Sequence, residues 1–265
     1  MTAAPLRLGI AGLGTVGVGV LKMIQKNAAL ITQRTGRAVT VSAVCAQSRG
    51  KDRGVDLSGY AWEDDPVVLA KRDDVDVFVE LIGGSTGPAK QATQAAIAAG
   101  KDVITANKAM LAEHGHSLAL SAEAAGRVIR YEAAVAGGIP VVKALTEGLA
   151  GNEIQRVLGV MNGSCNYILT RMEDAGLTYE EVFAEADGLG YLEADPNLDV
   201  GGIDAAHKLA ILASIAFGTE VDFASVVIEG IGAIPLRTFM PLPIWGIASN
   251  FWVSRNRPAA GLSNA

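Results

Sequence analysis

Short apolar runs alternate with helical stretches over the first half of the chain. Leu6–Ala11 is an apolar run that ends at Gly12, and from Thr15 onward apolar residues recur at helical spacing. Further strands are predicted at 38–45, 75–82 and 102–105, and alanine-rich helices at 90–99 and 109–125, each helix followed by a glycine. Alternating strands and helices are typical of an α/β protein with a Rossmann-type, doubly wound parallel sheet.

The pattern changes near the middle of the chain. Residues 127–132 predict the last strand of the sheet, and the glycine-rich segment 134–140 predicts a domain junction. Beyond it we predict a strand at 154–161, helices at 165–175 and 179–186, a glycine- and acid-rich loop through 187–202, and an apolar helix at 203–217. We therefore predict a first domain over 1–133 and a second, α+β domain over 134–234.

Composition favours a folded protein that handles small molecules. The chain has 265 residues, of which 50% are hydrophobic and 19% charged, enough for two domains with cores of their own. A net charge of -6 argues against nucleic acid or an anionic membrane as partner. Cys45 and Cys165 lie far apart in apolar stretches, and we find neither a signal peptide nor a membrane-spanning run. A cytoplasmic location is expected.

The first strand leads into a glycine-rich turn. Gly12-Leu13-Gly14-Thr15-Val16-Gly17 fits G-x-G-x-x-G between a strand and a helix. Gly12 would allow the tight turn, Gly14 the approach of a pyrophosphate and Gly17 close packing of helix on strand. We predict dinucleotide binding there, against the alternative of a glycine-rich turn without a ligand.

The end of the second strand bears on the choice of cofactor. An NAD enzyme places a carboxylate there against the ribose 2′-hydroxyl, but residues 45–51 contain no acid. Arg49, Lys51 and Arg53 follow instead, and these could bind a 2′-phosphate. We favour NADP over NAD; the alternative is a solvated basic loop.

The densest cluster of candidate functional residues lies between 190 and 208 and contains four acids. Asp204 and Lys208 are four residues apart, so they share one face near the start of the apolar helix. A lysine held there by a carboxylate in a cleft could exchange a proton with a substrate hydroxyl, and Glu193 and Asp199 could hold a substrate ammonium. A surface ion pair is the alternative.

Together these motifs resemble those of the homoserine dehydrogenase family over about residues 5–230. The resemblance rests on GLGTVG (12–17), ELIGG (80–84), TANK (105–108), EAAVAGGIP (132–140), MNGSCNYILT (161–170) and GYLEADPNLDVGGIDAAHK (190–208), in the family's order. It implies NAD(P)-dependent interconversion of L-homoserine and L-aspartate 4-semialdehyde, in the biosynthesis of threonine, methionine and isoleucine. It also implies a homodimer.

The resemblance assigns roles residue by residue. Leu13, Thr15 and Val16 would contact the cofactor, Lys108 would lie at its nicotinamide end, and Lys208 would donate the proton. Gln47 stands where relatives often carry Arg, so the preference for NADP depends on Arg49. Glu193 and Asp204 match substrate-binding acids, and Ser164 stands where a Thr is more usual; we add Asp199 and Tyr191 to the predicted substrate site. A monovalent cation, usually sodium, would be bound by the backbone carbonyls of Glu132, Val135, Gly137 and Ile139.

The C-terminal segment differs from the rest. Residues 231–265 lack Asp, Glu and Lys, and the resemblance stops after about Ile234. A shifted reading frame with allowed codons can encode a peptide that resembles the family's continuation. We therefore expect a C-terminally truncated enzyme whose tail, 235–265, is a frameshift product. A catalytically impaired remnant that still binds the nucleotide is the alternative to an active enzyme.

Overall fold

The chain divides into two compact units, which are described separately. The computed structural model describes residues 3–192, 195–234 and 253–256, the last range as backbone only. The units are Met1–Lys143 and Ala144–Ala265. The domain limits set from the sequence, with a boundary at residue 133, are a separate prediction that this division does not test.

The first unit is built on a six-stranded parallel sheet. Its strands are β1 (Leu6–Ala11), β2 (Val39–Cys45), β3 (Ala61–Glu63), β4 (Val77–Glu80), β5 (Asp102–Thr105) and β6 (Ile129–Arg130). They lie in the order β3-β2-β1-β4-β5-β6, and every pair is parallel. The order reverses between β1 and β4, which marks the switch point of a doubly wound fold. The predicted fold class is therefore confirmed.

Helices cover both faces of this sheet. They are α1 (Thr15–Thr35), α2 (Pro66–Lys71), α3 (Pro88–Ala98), α4 (Lys108–Ala124), α5 (Glu132–Val135) and α6 (Val141–Lys143). Because alternate residues of a strand point to opposite faces, β4 places Val77 and Val79 in one buried cluster, with α1, and Phe78 in the other, with α2, α3 and α4. Burial on both faces explains why these strands are continuously apolar.

Some local elements differ from the sequence prediction. β3 and α2 were not predicted, because a three-residue strand and a six-residue helix are too short to show a hydrophobic period. The strand predicted at 127–132 is only Ile129–Arg130, and α5 begins two residues later, at Glu132. The loop predicted through 187–202 contains a short helix, Pro196–Val200, which Asp195 caps at its N-terminus.

The second unit is mainly helical. It contains a π-helical turn (Ala144–Gly148), β7 (Arg156–Gly159), α7 (Gly163–Ala175), α8 (Tyr179–Gly188), α9 (Pro196–Val200), α10 (Ile203–Phe217) and β8 (Val253–Asn256). β7 pairs antiparallel with β8, from Arg156 opposite Asn256 to Gly159 opposite Val253. Its buried cluster joins α7, α8 and Ile231. α10 has the bounds predicted for it. Within the described ranges, no helix is long and apolar enough to span a bilayer.

Candidate active site

Sterics require two of the three motif glycines in the N-terminal turn, and the third leaves open space. Gly12 has φ +100, and a Cβ there would lie 2.2 Å from the carbonyl oxygen of Leu81. A Cβ at Gly17 would lie 1.9 Å from the carbonyl oxygen of Gly12, so only glycine lets α1 start so close to β1. A Cβ at Gly14, the N-cap of α1, would meet no atom within 4 Å, so the turn is open to a ligand at this position.

The first turn of α1 is suited to an anion. It contains no acidic residue, and the N-cap Gly14 supplies no side chain to satisfy the first N–H groups. Of the predicted cofactor contacts, Leu13 is buried, whereas Thr15 and Val16 are exposed at the start of the helix. Backbone N–H donors and the helix dipole therefore point to the place where a pyrophosphate binds in this type of fold.

The loop after β2 is held in place by Arg53. Its guanidinium donates to the carbonyl oxygens of Leu13 (3.2 Å), Lys51 (2.8 Å) and Ser48 (2.6 Å), so it fastens this loop to the glycine turn. The Arg53 guanidinium carbon also lies 5.6 Å from the ring centroid of Trp62, and that of Arg49 lies 5.9 Å away. Arg53 is thus largely engaged in structure, while Arg49 and Lys51 are exposed.

A second group of polar residues lies at the carboxyl ends of β4 and β5. Glu80 is fully buried, and its carboxylate accepts hydrogen bonds from the amides of Ile82 (2.8 Å) and Gly83 (3.1 Å) and from the hydroxyl of Thr105 (2.5 Å). Lys108, predicted at the nicotinamide end, is the first residue of α4, directly after these contacts.

The segment predicted to hold a cation is a glycine-containing bend. α5 ends at Val135, and Gly138 has φ +79. The Glu132 carboxylate accepts from the amides of Val142 (2.7 Å) and Lys143 (2.9 Å), so this side chain caps α6. The described residues contain no cluster of His, Cys, Asp or Glu that could hold a metal. The predicted site uses backbone carbonyls, which suit a hard cation.

The acidic cluster predicted from the sequence forms in the second unit. Asp199 and Asp204 are each 3% exposed, and Asn162 joins them by donating from Nδ2 to Asp199 Oδ1 (2.8 Å) and to Asp204 Oδ2 (2.9 Å). Lys208 Nζ donates to Asp204 Oδ2 (2.7 Å) and to the carbonyl oxygen of Met161 (2.8 Å). Asp204 is therefore buried, and Lys208 is partly buried with 19% of its side chain exposed, unlike a fully solvated surface pair.

The remaining predicted substrate residues lie on neighbouring loops. Ser164 donates its hydroxyl to the carbonyl oxygen of Tyr191 (2.6 Å), whose ring packs edge-on against Tyr167 at 4.9 Å between centroids. Glu193 lies outside the described residues. The Cys165 thiol donates to the carbonyl oxygen of Asp199 (3.2 Å), and burial, reinforced by nearby carboxylates, raises its pKa to about 12. This thiol is therefore unsuited to act as a nucleophile.

Sequence reasoning missed three of the residues that build these sites. Asn162 bridges the carboxylates and caps α7 through Cys165 N (2.8 Å), and an asparagine just before a helix is a recognisable cap signal. Glu80 lies within the ELIGG motif, where an acid that ends an apolar strand is the only signal. Trp62 has no signal in the sequence.

Comparison with known proteins identifies the family. A homoserine dehydrogenase NAD-binding domain matches residues 12–132, and a homoserine dehydrogenase domain matches 140–246. The chain is 46% identical to the homoserine dehydrogenase of Neisseria gonorrhoeae over 233 residues, which are 88% of this chain and 53% of that protein. The enzyme of Pseudomonas aeruginosa is 46% identical over 230 residues, 87% of this chain and 52% of that protein.

Solved structures agree with this assignment. A homoserine dehydrogenase from Thiobacillus denitrificans has a TM-score of 0.84 and 43% identity, over 88% of this chain and 54% of its own. A protein described as a homoserine dehydrogenase of Archaeoglobus fulgidus has a TM-score of 0.83 and 34% identity, over 95% of this chain and 81% of its own. A hyperthermophilic archaeal homoserine dehydrogenase in complex with NADPH, 23% identical with a TM-score of 0.78, shares the fold.

The matches cover only part of the relatives' length, and they also bear on the C-terminal segment of this chain. The chain spans about half the length of the curated relatives it matches. The second family domain matches to residue 246, beyond the position near 235 where we expected the resemblance to end. Most of the segment 235–265 lies outside the described residues, and its origin as a frameshift product stays a prediction. The two matching family domains and the relatives together show that this chain belongs to the homoserine dehydrogenase family.

Proposed function

We propose that this chain acts as a homoserine dehydrogenase, which interconverts L-aspartate 4-semialdehyde and L-homoserine. The observation that carries the proposal is the partly buried Lys208, whose ammonium is held by Asp204 Oδ2 at 2.7 Å and by the Met161 carbonyl at 2.8 Å. An ammonium has three N–H donors, so the third can serve a substrate oxygen. The nicotinamide cofactor, when bound, supplies or accepts the hydride.

Lys208 would handle the proton in this reaction. In the direction of reduction, the aldehyde carbon gains a hydride and its oxygen gains the Lys208 proton, which gives the hydroxyl of homoserine. In oxidation the same amine takes the hydroxyl proton. Asp204 keeps the ammonium in place through an i,i+4 contact on α10. Lys108 is the second lysine to which we assign a supporting role in catalysis.

The charge of the cluster favours a substrate that carries an ammonium group. Asp199 and Asp204 provide two buried carboxylates, and Lys208 provides one ammonium. Two carboxylates close together would attract the α-ammonium of the amino-acid substrate. We propose that Glu193 adds a further carboxylate to this cluster. We also propose that Ser164 and Tyr191 shape the adjoining wall of the substrate site, where the Ser164 hydroxyl donates to the Tyr191 carbonyl oxygen.

NADP is the cofactor that we propose in preference to NAD. The exposed Gln47 and Arg49 stand after β2, where an NAD enzyme would place an acid. Because Arg53 is occupied by three backbone carbonyls, Arg49 is the better candidate for the 2′-phosphate. Arg49→Ala should weaken binding of NADPH by about tenfold and binding of NADH little, since one charge-assisted hydrogen bond is lost. Equal weakening of both would assign Arg49 no part in cofactor choice.

We propose that a monovalent cation binds at the bend after α5. The carbonyl oxygens of Glu132, Val135, Gly137 and Ile139 are the proposed ligands, and those of Glu132 and Ile139 already accept one backbone hydrogen bond each, from Ala136 and Val141. A carbonyl oxygen has two lone pairs, so each retains one for a hard cation. Sodium would then stabilise the bend, which predicts a higher unfolding temperature in sodium than in tetramethylammonium salts.

Turnover of the purified chain tests the proposal directly. NADPH consumption is followed after addition of L-aspartate 4-semialdehyde, for the chain itself and for Lys208→Ala. The substitution should lower kcat by about 10²–10⁴-fold and leave the dissociation constant of NADPH unchanged, because general acid catalysis of this kind is worth that much. Lys71→Ala, at an exposed lysine in the last turn of α2, is the matched control.

The possible outcomes separate the roles. Unchanged turnover in Lys208→Ala would move the proton transfer to Lys108, which Lys108→Ala then tests. Binding of NADPH without turnover in the unsubstituted chain would support a catalytically impaired remnant instead of an active enzyme. The homodimer implied by the resemblance stays a prediction, which the mass of the chain in solution tests.

A further inference from the structure

Glu80 is a buried carboxylate without an assigned role. It is fully buried at the end of β4, and both of its oxygens are engaged. Oε1 accepts from the amides of Ile82 and Gly83, at 2.8 and 3.1 Å, and Oε2 accepts from the hydroxyl of Thr105 at 2.5 Å. A buried carboxylate is costly unless its hydrogen bonds are made, so its presence calls for a reason beyond packing.

Thr105 extends this contact to the next loop. Its hydroxyl oxygen accepts from the amide of Asn107 at 3.0 Å while its proton goes to Glu80. Asn107 then donates from Nδ2 back to the carbonyl oxygen of Gly84 at 2.7 Å, and its Oδ1 caps α4 by accepting from Met110 N at 3.0 Å. The loop after β4 and the loop that starts α4 are therefore joined at two points.

The strand order indicates what these two loops border. The order of the sheet reverses between β1 and β4, and a dinucleotide lies across that point, outside the carboxyl ends of the strands. The glycine turn follows β1, and Arg49 and Trp62 lie on the β2 and β3 side, where the adenosine half binds. The loops after β4 and β5 then border the nicotinamide half.

We propose that Glu80 and Thr105 are positioning residues for the nicotinamide half of the cofactor. They fix the loops after β4 and β5 in the conformation that binds the cofactor, so that binding does not have to order these loops. The inference rests on the proposed function, since it requires a bound dinucleotide. It also explains why α4 begins at one defined place with Lys108 as its first residue.

Thr105 offers a closely matched set of substitutions. Thr105→Val keeps the shape of this buried, β-branched side chain but removes the hydroxyl that links Glu80 to Asn107. Thr105→Ser retains the hydroxyl and is the control. Glu80→Gln keeps an acceptor for the two loop amides, but its NH₂ group cannot accept the Thr105 proton.

The experiment compares two ligands that share one half of the cofactor. Dissociation constants are measured for NADPH and for 2′,5′-ADP, which lacks the nicotinamide. In Thr105→Val and Glu80→Gln the affinity for NADPH should fall by about tenfold, as expected for loss of one hydrogen bond to a charged group, while that for 2′,5′-ADP stays within about twofold. Thr105→Ser should bind NADPH like the unsubstituted chain.

Other outcomes would overturn the inference. Equal weakening of both ligands would mean that the contacts only stabilise the unit as a whole, and unchanged affinity for NADPH would mean that the loops need no fixing. If Glu80→Gln does not fold, the comparison of valine with serine at position 105 still decides. If the unsubstituted chain binds neither ligand, the proposed function itself is refuted. If it binds both ligands and the substitutions cause no selective loss of NADPH affinity, only this inference is refuted.

Discussion

Asn162 offers the sharpest test of how the acidic cluster is held together. Asn162→Ala removes the bonds from Nδ2 to Asp199 (2.8 Å) and Asp204 (2.9 Å) and the cap on Cys165 N (2.8 Å). A lost cap costs about 1 kcal/mol. Each lost bond to a buried charged group costs about 1.5–3 kcal/mol. Because Lys208 still serves Asp204, we expect a total near 3–5 kcal/mol of unfolding free energy.

Asn162→Asp separates the cap from the bridge. An aspartate caps a helix as well as an asparagine does, but it places a third carboxylate beside Asp199 and Asp204. At about 4 Å and an effective dielectric of 20, two like charges repel by about 4 kcal/mol, so the two neighbouring carboxylates should oppose ionisation of the new one. This repulsion should raise the pKa of the new carboxyl above its usual range.

The sign of the pH dependence follows from that shift. A group whose pKa is raised by folding favours the folded state below its unfolded pKa and loses this contribution as the pH rises through the higher folded pKa. Relative to the unsubstituted chain, Asn162→Asp should therefore be more destabilised at pH 8 than at pH 5.

Urea unfolding followed by circular dichroism measures these differences at both pH values. Hydrogen exchange of the amides in α7 and α10 assigns them to the second unit. A loss below about 1 kcal/mol in Asn162→Ala would refute the bridge, since the cap alone accounts for that much. A penalty for Asn162→Asp that is equal at pH 5 and pH 8 would refute the charge argument.

Three further predictions concern single side chains. Gly17→Ala should abolish NADPH binding and destabilise the chain by about 1–3 kcal/mol, because the new Cβ would lie 1.9 Å from a backbone oxygen. Gly19→Ala in the same helix, where a Cβ would meet nothing within 4 Å, should leave binding intact. Calorimetric titration and thermal unfolding check both variants. The hydrogen bonds from Arg7 lower the pKa of Asp76 to about 2, so the stabilising contribution of this carboxylate is complete above about pH 4 and lost as the pH falls through 2. The unfolding free energies of Asp76→Asn and of the unsubstituted chain should therefore differ at pH 6 and converge near pH 2. A difference between the two proteins that does not change with pH would contradict this. The Cys165 thiol, with its pKa near 12, should not react with a disulfide reagent at pH 8 until urea is added, and fast labelling of the folded chain would show that it is accessible.

The local elements of this protein follow from its sequence. The apolar runs gave β1, β2, β4 and β5, and α10 has the predicted bounds, because period and length distinguish a buried strand from a buried helix. The glycine turn could also be read directly, since Gly12 and Gly17 answer steric needs of the turn and the helix and Gly14 leaves space for a ligand. Even the contact of Asp204 with Lys208 is local, because residues four apart on a helix are neighbours.

The contacts that build the sites were decided by the path of the chain. Asn162 meets acids 37 and 42 residues away, Arg53 reaches a carbonyl 40 residues earlier, and Glu80 meets a hydroxyl 25 residues later. Sequence periodicity sets which face of an element is buried, but not which distant loop lies opposite it. These groups come together because the parallel sheet aligns its strand ends and because α7, α9 and α10 pack together. Once they are buried by this packing, their polar side chains need hydrogen-bond partners.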